Sequence, residues 1–229
     1  MADGDSESRP LCPSPDFVAL AAGWCANQSS LLLGYVWRAY DSLIAAMPAA
    51  INREDLERSL TQLLEPHIHQ VITGDEPFCV QHGPYERETK VAAPAQPPQY
   101  DIAFVLFADK RIMWPLEAKV LKNDCRRDLK TYVADVKKQY LACRYAPFFS
   151  EAAMLGYLLA GSPKAVFGHI AAGVPCAFES QERFGQRPHR VSRHTRKVPT
   201  GKRYPRGFTC HHLLLQFPSL SSQPELSLT

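Results

Sequence analysis

The sequence predicts an α/β fold, a small mixed β-sheet flanked by helices, with a helical extension at the N-terminal end. Three observations lead there. Apolar residues recur at helical spacing from Asp16 to about Ile72. After Gly74 the period shortens, and two strand candidates, Tyr100–Phe107 and Ile112–Leu121, flank the polar turn Ala108-Asp109-Lys110-Arg111. Helical spacing then returns from about Asp124 to Tyr145. A chain of 229 residues is long enough for one full core. Its 45% hydrophobic and 21% charged residues exclude whole-chain disorder, collagen and coiled coil.

Taken in order, residues 1–15 hold three prolines and are expected to be a disordered leader. A single domain is expected over 16–218, with its core at about 52–160. From Asp16 to about Met47, Leu20, Trp24, Leu31, Leu32, Tyr35, Tyr40 and Leu43 predict one or two helices, ended by Pro48. Asn52 reads as the N-cap of the next helix, with Glu54 and Asp55 in its first turn and Pro66 interrupting it. Phe78-Cys79-Val80 and Tyr85–Val91 read as short strands, and AAPAQPPQ as a proline-rich loop. Beyond the 124–145 helix, Ser150–Leu159 reads as a second helix ending at Gly161, and 162–175 as room for a short third. Residues 179–206 read as an ordered loop or flexible arm, 208–217 as a final strand and 219–229 as a flexible tail. The acidic first ten residues are unlike a signal peptide, and Asn27-Gln28-Ser29-Ser30 break the apolar stretch Phe17–Trp37. A cytoplasmic protein without membrane contact is expected. The seven widely spaced cysteines read as reduced thiols.

One constellation points to chemistry. Asp101 opens an apolar strand, and the next strand carries Glu117-Ala118-Lys119. Residues i and i+2 share a strand face, so Glu117 and Lys119 point together, and a hairpin brings Asp101 beside Glu117. Two carboxylates on strands of Ile, Val, Leu and Phe are costly unless a function retains them. With water and a substrate phosphate oxygen, and the Ala118 carbonyl as an extra ligand, Asp101 and Glu117 make a site for Mg2+, with Mn2+ as a substitute. Lys119 is then placed to orient water or neutralise developing charge.

These residues resemble the signature of the PD-(D/E)xK nucleases, the restriction-endonuclease-like superfamily, with Tyr100 standing where that signature has proline. The preceding helix, Glu57-Arg58-Ser59-Leu60-Thr61-Gln62-Leu63-Leu64, is similar to the Glu-x-x-Leu-Thr-x-x-Leu of such helices. The resemblance covers roughly 52–145 and the last strand. It implies a restriction-endonuclease-like core and metal-dependent hydrolysis of DNA, of the kind found in phage defence or mobile elements. It also implies a helix carboxylate, for which Glu57, at the edge of the apolar stripe, is preferred to Glu54. The exonuclease-like branches add a glutamine downstream, here Gln139. The rival expectations are a catalytically inactive nucleic-acid-binding or scaffold subunit of the same fold, and an RNA-directed nuclease.

Residues 183–206 carry nine Lys/Arg and no Asp/Glu, interleaved with Phe184 and Tyr204, so the rest of the chain is net negative. Arg187, Arg190, Arg193, Arg196, Lys197, Lys202 and Arg203 are therefore the expected nucleic-acid contacts, with pairing to the acidic remainder of the chain or to an acidic partner as the alternative. Cys210-His211-His212 is not read as a zinc site, because a strand sends neighbours to opposite faces. Cys143 reads as core. The sequence has no glycine-rich phosphate loop, so regulation is expected from a partner protein or self-association.

Overall fold

The computed structural model describes residues 15–48, 50–89, 96–122, 125–174 and 176–220, with the side chains of 25–27 left out. The leader up to residue 14, the proline-rich loop through residue 95 and the tail from 221 lie outside them. The architecture is α/β. Helix α1 (Pro15–Ala45) is followed by α2 (Leu56–Val71), β1 (Phe78–His82), β2 (Ile102–Leu106), β3 (Met113–Lys122), α3 (Arg126–Asp135), β4 (Glu151–Ala160), α4 (Pro163–Gly173), β5 (Phe178–Ser180), β6 (His189–Thr195) and β7 (Gly207–Gln216). The seven strands form one mixed sheet in the order β1-β2-β3-β4-β7-β6-β5, larger than the small sheet predicted. The centre is parallel, β3 with β4 and β4 with β7, and both margins are antiparallel.

The helices cover both faces. Leu60, Thr61, Leu64 and Ile68 of α2 are buried, and Thr61 Oγ lies 3.0 Å from the hydroxyl of Tyr157 on β4. On the opposite face, the Tyr132 hydroxyl of α3 lies 2.9 Å from Nδ1 of His212 on β7. Helix α1 begins with proline at its first position and buries Leu32, Leu33, Val36, Ala39 and Leu43 against the α2 face. Among the described residues no single helix is long and apolar enough to cross a membrane. The five described cysteines form no disulfide.

Several predicted elements differ. The N-cap of α2 is Asp55, whose carboxylate accepts from the Arg58 N–H; Asn52 instead turns the chain just before it, accepting from the Glu54 N–H. Pro66 is accommodated inside α2. The predicted Tyr85–Val91 strand is an isolated bridge, Tyr85 with Gln99, in its described part. The helix after β3 stops at Asp135 and continues as a π-helical turn, Val136–Tyr140. An irregular turn follows, with Cys143 at φ 58° and Ala146 at φ 48°.

The largest difference is at 151–160, expected as a helix and found as β4, the central parallel strand. Ala, Met and Leu favour helices in isolation, and a strand buried on both faces lacks the alternation that betrays a surface strand. Gly156 supports the strand assignment: a Cβ there would meet Leu214 Cδ2 at 2.5 Å and Leu121 Cδ1 at 2.6 Å, on the two neighbouring strands. The basic arm is also overturned as a structural reading. Residues 178–195 form β5, a 3-10 turn and β6, which extend the sheet.

Within that extension Arg196 has a structural role. Its buried guanidinium donates to the carbonyls of Ala146, Pro147, Phe149 and Pro205 at 2.9–3.1 Å, pinning the irregular turn after α3. Gly156→Ala is expected to destabilise the fold by about 1–3 kcal/mol through overpacking, and Arg196→Ala by about 3 kcal/mol through four orphaned carbonyls. Arg196→Lys should recover little, because an ammonium cannot span the four acceptors. Urea unfolding followed by circular dichroism checks all three.

Candidate active site

The sheet positions the site by ending one strand early. β2 pairs with β3 only as far as Ile102 opposite Leu116. From Glu117 onward β3 keeps β4 on one side and loses its strand partner on the other. The backbone donors on that open side must find other acceptors. Carboxylates supply them: Asp101 Oδ2 accepts from the Ala118 N–H at 2.7 Å, and Glu57 Oε2 from the Val120 N–H at 3.2 Å.

Lys119 sits at the centre of this fork. Its Nζ donates to Glu117 Oε1 at 3.0 Å, Glu57 Oε1 at 3.1 Å and the Ala118 carbonyl at 2.6 Å. Asp135 Oδ2, from the end of α3, lies 3.7 Å from the ammonium, and Asp101 Oδ2 lies 4.0 Å away. Four carboxylates from four segments thus surround one ammonium whose side chain is 14% exposed. The structure brings together Glu57, Asp101, Glu117 and Lys119 of the predicted residues. Asp135 is the member that sequence reasoning missed, because its place depends on how α3 crosses from β3 to β4. Gln139 is not joined to the cluster: it is in the π-helical turn, its Oε1 is buried without a partner, and it hydrogen-bonds none of the four carboxylates or Lys119.

Electrostatics follow from burial and crowding. Burial, reinforced by the Asp101 charge and only partly offset by Lys119, pushes the Glu117 carboxyl up to about 8. Burial also raises Asp101 and Glu57, again against the pull of Lys119. For Lys119 burial works against the charge, but Glu117, Glu57 and Asp101 outweigh it, so the ammonium is held well above its ordinary value.

The donor set suits a hard divalent cation held openly. Glu117 Oε2 is buried with no hydrogen-bond partner, so a carboxylate oxygen is exposed neither to water nor to a donor. Among the described residues no group of three or more His, Cys, Asp and Glu is gathered as a metal cage. Two carboxylates with substrate and water completing the shell is the ordinary manner of holding Mg2+, and Asp101 and Glu117 fit it. A cleft of about 340 Å³ opens on the Asp101 and Glu57 side of the cluster, lined also by Asp55, Arg58, His82, Gly83, Gln99 and Tyr100.

The predicted nucleic-acid residues are dispersed. Arg187 forms a two-pronged ion pair with Asp41 of α1, Arg193 pairs with Glu179 of β5, and Lys202 lies 2.8 Å from Glu88. Arg190 lies over the Phe167 ring of α4, and Arg196 is buried as described. Lys197 and Arg203 are exposed. Pairing with the acidic remainder of the chain, the alternative weighed above, accounts for three of the seven. His211 and His212 face opposite sides of the sheet, toward Glu151 and His189 and toward Tyr132 and Ser192 respectively.

A scan against protein-family models, a search of curated proteins and a search of solved structures gave no significant match.

The buried carboxylate carries a stability cost that can be measured. A carboxyl whose folded pKa is raised favours the fold while protonated, and that contribution is lost as pH rises from its ordinary value through about 8. In chelator, Glu117→Gln should therefore be more stable than the parent at pH 9, by on the order of 1–2 kcal/mol, and little different at pH 5. Denaturant titrations at the two pH values give the comparison.

Proposed function

We propose that this chain hydrolyses phosphodiester bonds of DNA in a reaction dependent on Mg2+, with Mn2+ able to substitute. The observation that carries the reading is the fork itself. Asp101, just before β2, and Glu117 on β3 converge on one ammonium, and Glu117 presents a buried oxygen with no partner. The resemblance to PD-(D/E)xK nucleases rests on the same residues, and it alone supports a restriction-endonuclease-like core and a setting in phage defence or mobile elements.

Asp101 and Glu117 would hold the cation. When bound, such an ion polarises the phosphorus centre and lowers the pKa of a coordinated water. Lys119, kept charged by its carboxylates, is suited to orienting the attacking water and countering the charge that develops on the phosphate, not to acting as a base. Glu57 and Asp135 act on Lys119, fixing where its ammonium sits. Gln139 is retained only as an auxiliary group, since it makes no hydrogen bond to any of them.

A second reading, a DNA-binding or scaffold subunit without activity, has one specific observation in its favour: Asp101 and Glu57 already satisfy backbone donors of β3. Cleavage of plasmid DNA separates the two. Asp101→Ala and Glu117→Ala are expected to abolish magnesium-dependent cutting. Lys119→Ala should keep DNA binding and lose about 10²–10³-fold in single-turnover rate, the usual scale for one electrostatic contact. Wild-type rates in Lys119→Ala, or no cutting by the parent chain, would leave the scaffold reading. Parallel assays on RNA of the same sequence decide whether the 2′-hydroxyl is tolerated.

A further inference from the structure

The proposed site has an electrostatic shortfall. Four carboxylates face one ammonium, and even a divalent cation leaves the cluster without excess positive charge to attract an anionic backbone. Cations beyond the cluster are needed to seat the substrate. The part of the predicted basic segment around β6 is poorly placed for this. Arg187, Arg190 and Arg193 lie on or beside β6, three strands from β3 across the sheet, and two of the three are already ion-paired.

The cleft beside Glu57 and Asp101 offers two others. Arg58 follows Glu57 on α2, is exposed, and its guanidinium has no partner among the described residues. His82 ends β1, is exposed, and lines the same cleft as Asp101. The wall carrying His82 is built rigidly. Gly83 is at φ +67°, its N–H donates to the Asp101 carbonyl at 2.9 Å, and its carbonyl accepts from the Gln99 amide at 2.7 Å. At φ +67° the backbone conformation calls for glycine, and a Cβ there would also displace the Gln99 amide, 2.9 Å away. The opposite wall is the first turn of α2, fixed by the Asp55 cap.

We propose that this cleft, of about 340 Å³, seats the DNA backbone next to the bond to be cut, with Arg58 and His82 holding the flanking phosphates. The inference deepens the nuclease reading and rests on it. Arg58 supplies a charged fork for phosphate oxygens and His82 a single donor. Both would bind the substrate on either side of the bond to be cut. The acids in the same cleft, exposed Asp55 and half-buried Glu57 and Asp101, are engaged by the Arg58 N–H, by Lys119 and by the Ala118 N–H respectively, which leaves the Arg58 side chain available.

The test uses the full chain and a fluorescent DNA duplex. Binding is followed by anisotropy across a salt series in Ca2+, and cleavage is followed in Mg2+. Arg58→Ala is expected to weaken binding and raise KM by about tenfold, with kcat within about twofold. It should also reduce the log–log salt slope by ~0.9, the value for one duplex phosphate contact. His82→Ala should weaken binding by about threefold. Arg58→Lys should restore the slope while recovering only part of the affinity. Lys110→Ala, the same charge change at the β2–β3 turn and the far end of the hairpin, is the comparison. An unchanged slope and KM in Arg58→Ala would overturn the inference while leaving the nuclease reading intact. So would a loss confined to kcat. A parent chain that neither binds nor cuts DNA would instead sink the nuclease reading itself, and the two failures are distinguishable. Thermal midpoints exclude misfolding, and Arg58→Lys keeps the test valid if the alanine variant is unstable.

Discussion

The site depends on β3 outrunning its antiparallel partner. Where β2 stops, two N–H groups of a nearly buried strand are left facing a gap. Hydrogen-bond satisfaction then demands acceptors, and the chain provides carboxylates from the residue before β2 and from the first turn of α2. Once carboxylates line that edge, a lysine between them is stabilised as a cation, and its long side chain draws in further acids from β3 and α3. The charged centre is therefore a product of sheet geometry as well as of charge pairing.

Much of this was legible in the sequence because it is local. Glu117 and Lys119 share a face by the period of two, and the short polar turn at 108–111 makes the hairpin that carries Asp101 alongside. The apolar stripe of α2, with Glu57 at its edge, gave the helix and the side chain that reaches Lys119. What escaped is what tertiary pairing decides. Asp135 lies on a helix whose crossing cannot be read from spacing. Residues 151–160 carry helix-forming side chains in a position where two parallel neighbours impose extension, so local propensity loses to the burial of every side chain from Ala152 to Leu159.

The basic segment shows the same limit for charge. A run of arginines in sequence looks like one surface, but β6 alternates its side chains, and the partners that neutralise them come from far away. Asp41 is on α1, Glu179 on β5 and Glu88 in the loop after β1. Arg196 is the extreme case: a residue counted among surface cations holds together a turn with two non-glycine residues in left-handed conformation. Net positive charge along a stretch of chain is thus poor evidence for a free cationic surface when the remainder is acidic. The unpaired Arg58 stood out only once its surroundings were known.

The charged fork also bears on how the protein reaches its native state. Glu57 and Lys119 are 62 residues apart, and the other contributors come from the start of β2, from β3 and from the end of α3. No hairpin or helix pair contains the whole set. The constellation therefore comes into being only when α2, the β2–β3 hairpin and the α3 crossover have all docked, contacts of long loop closure that form late and open together. Until then its acids remain in water at their ordinary protonation. Assembly of the charged centre in this protein therefore waits on three separate docking steps.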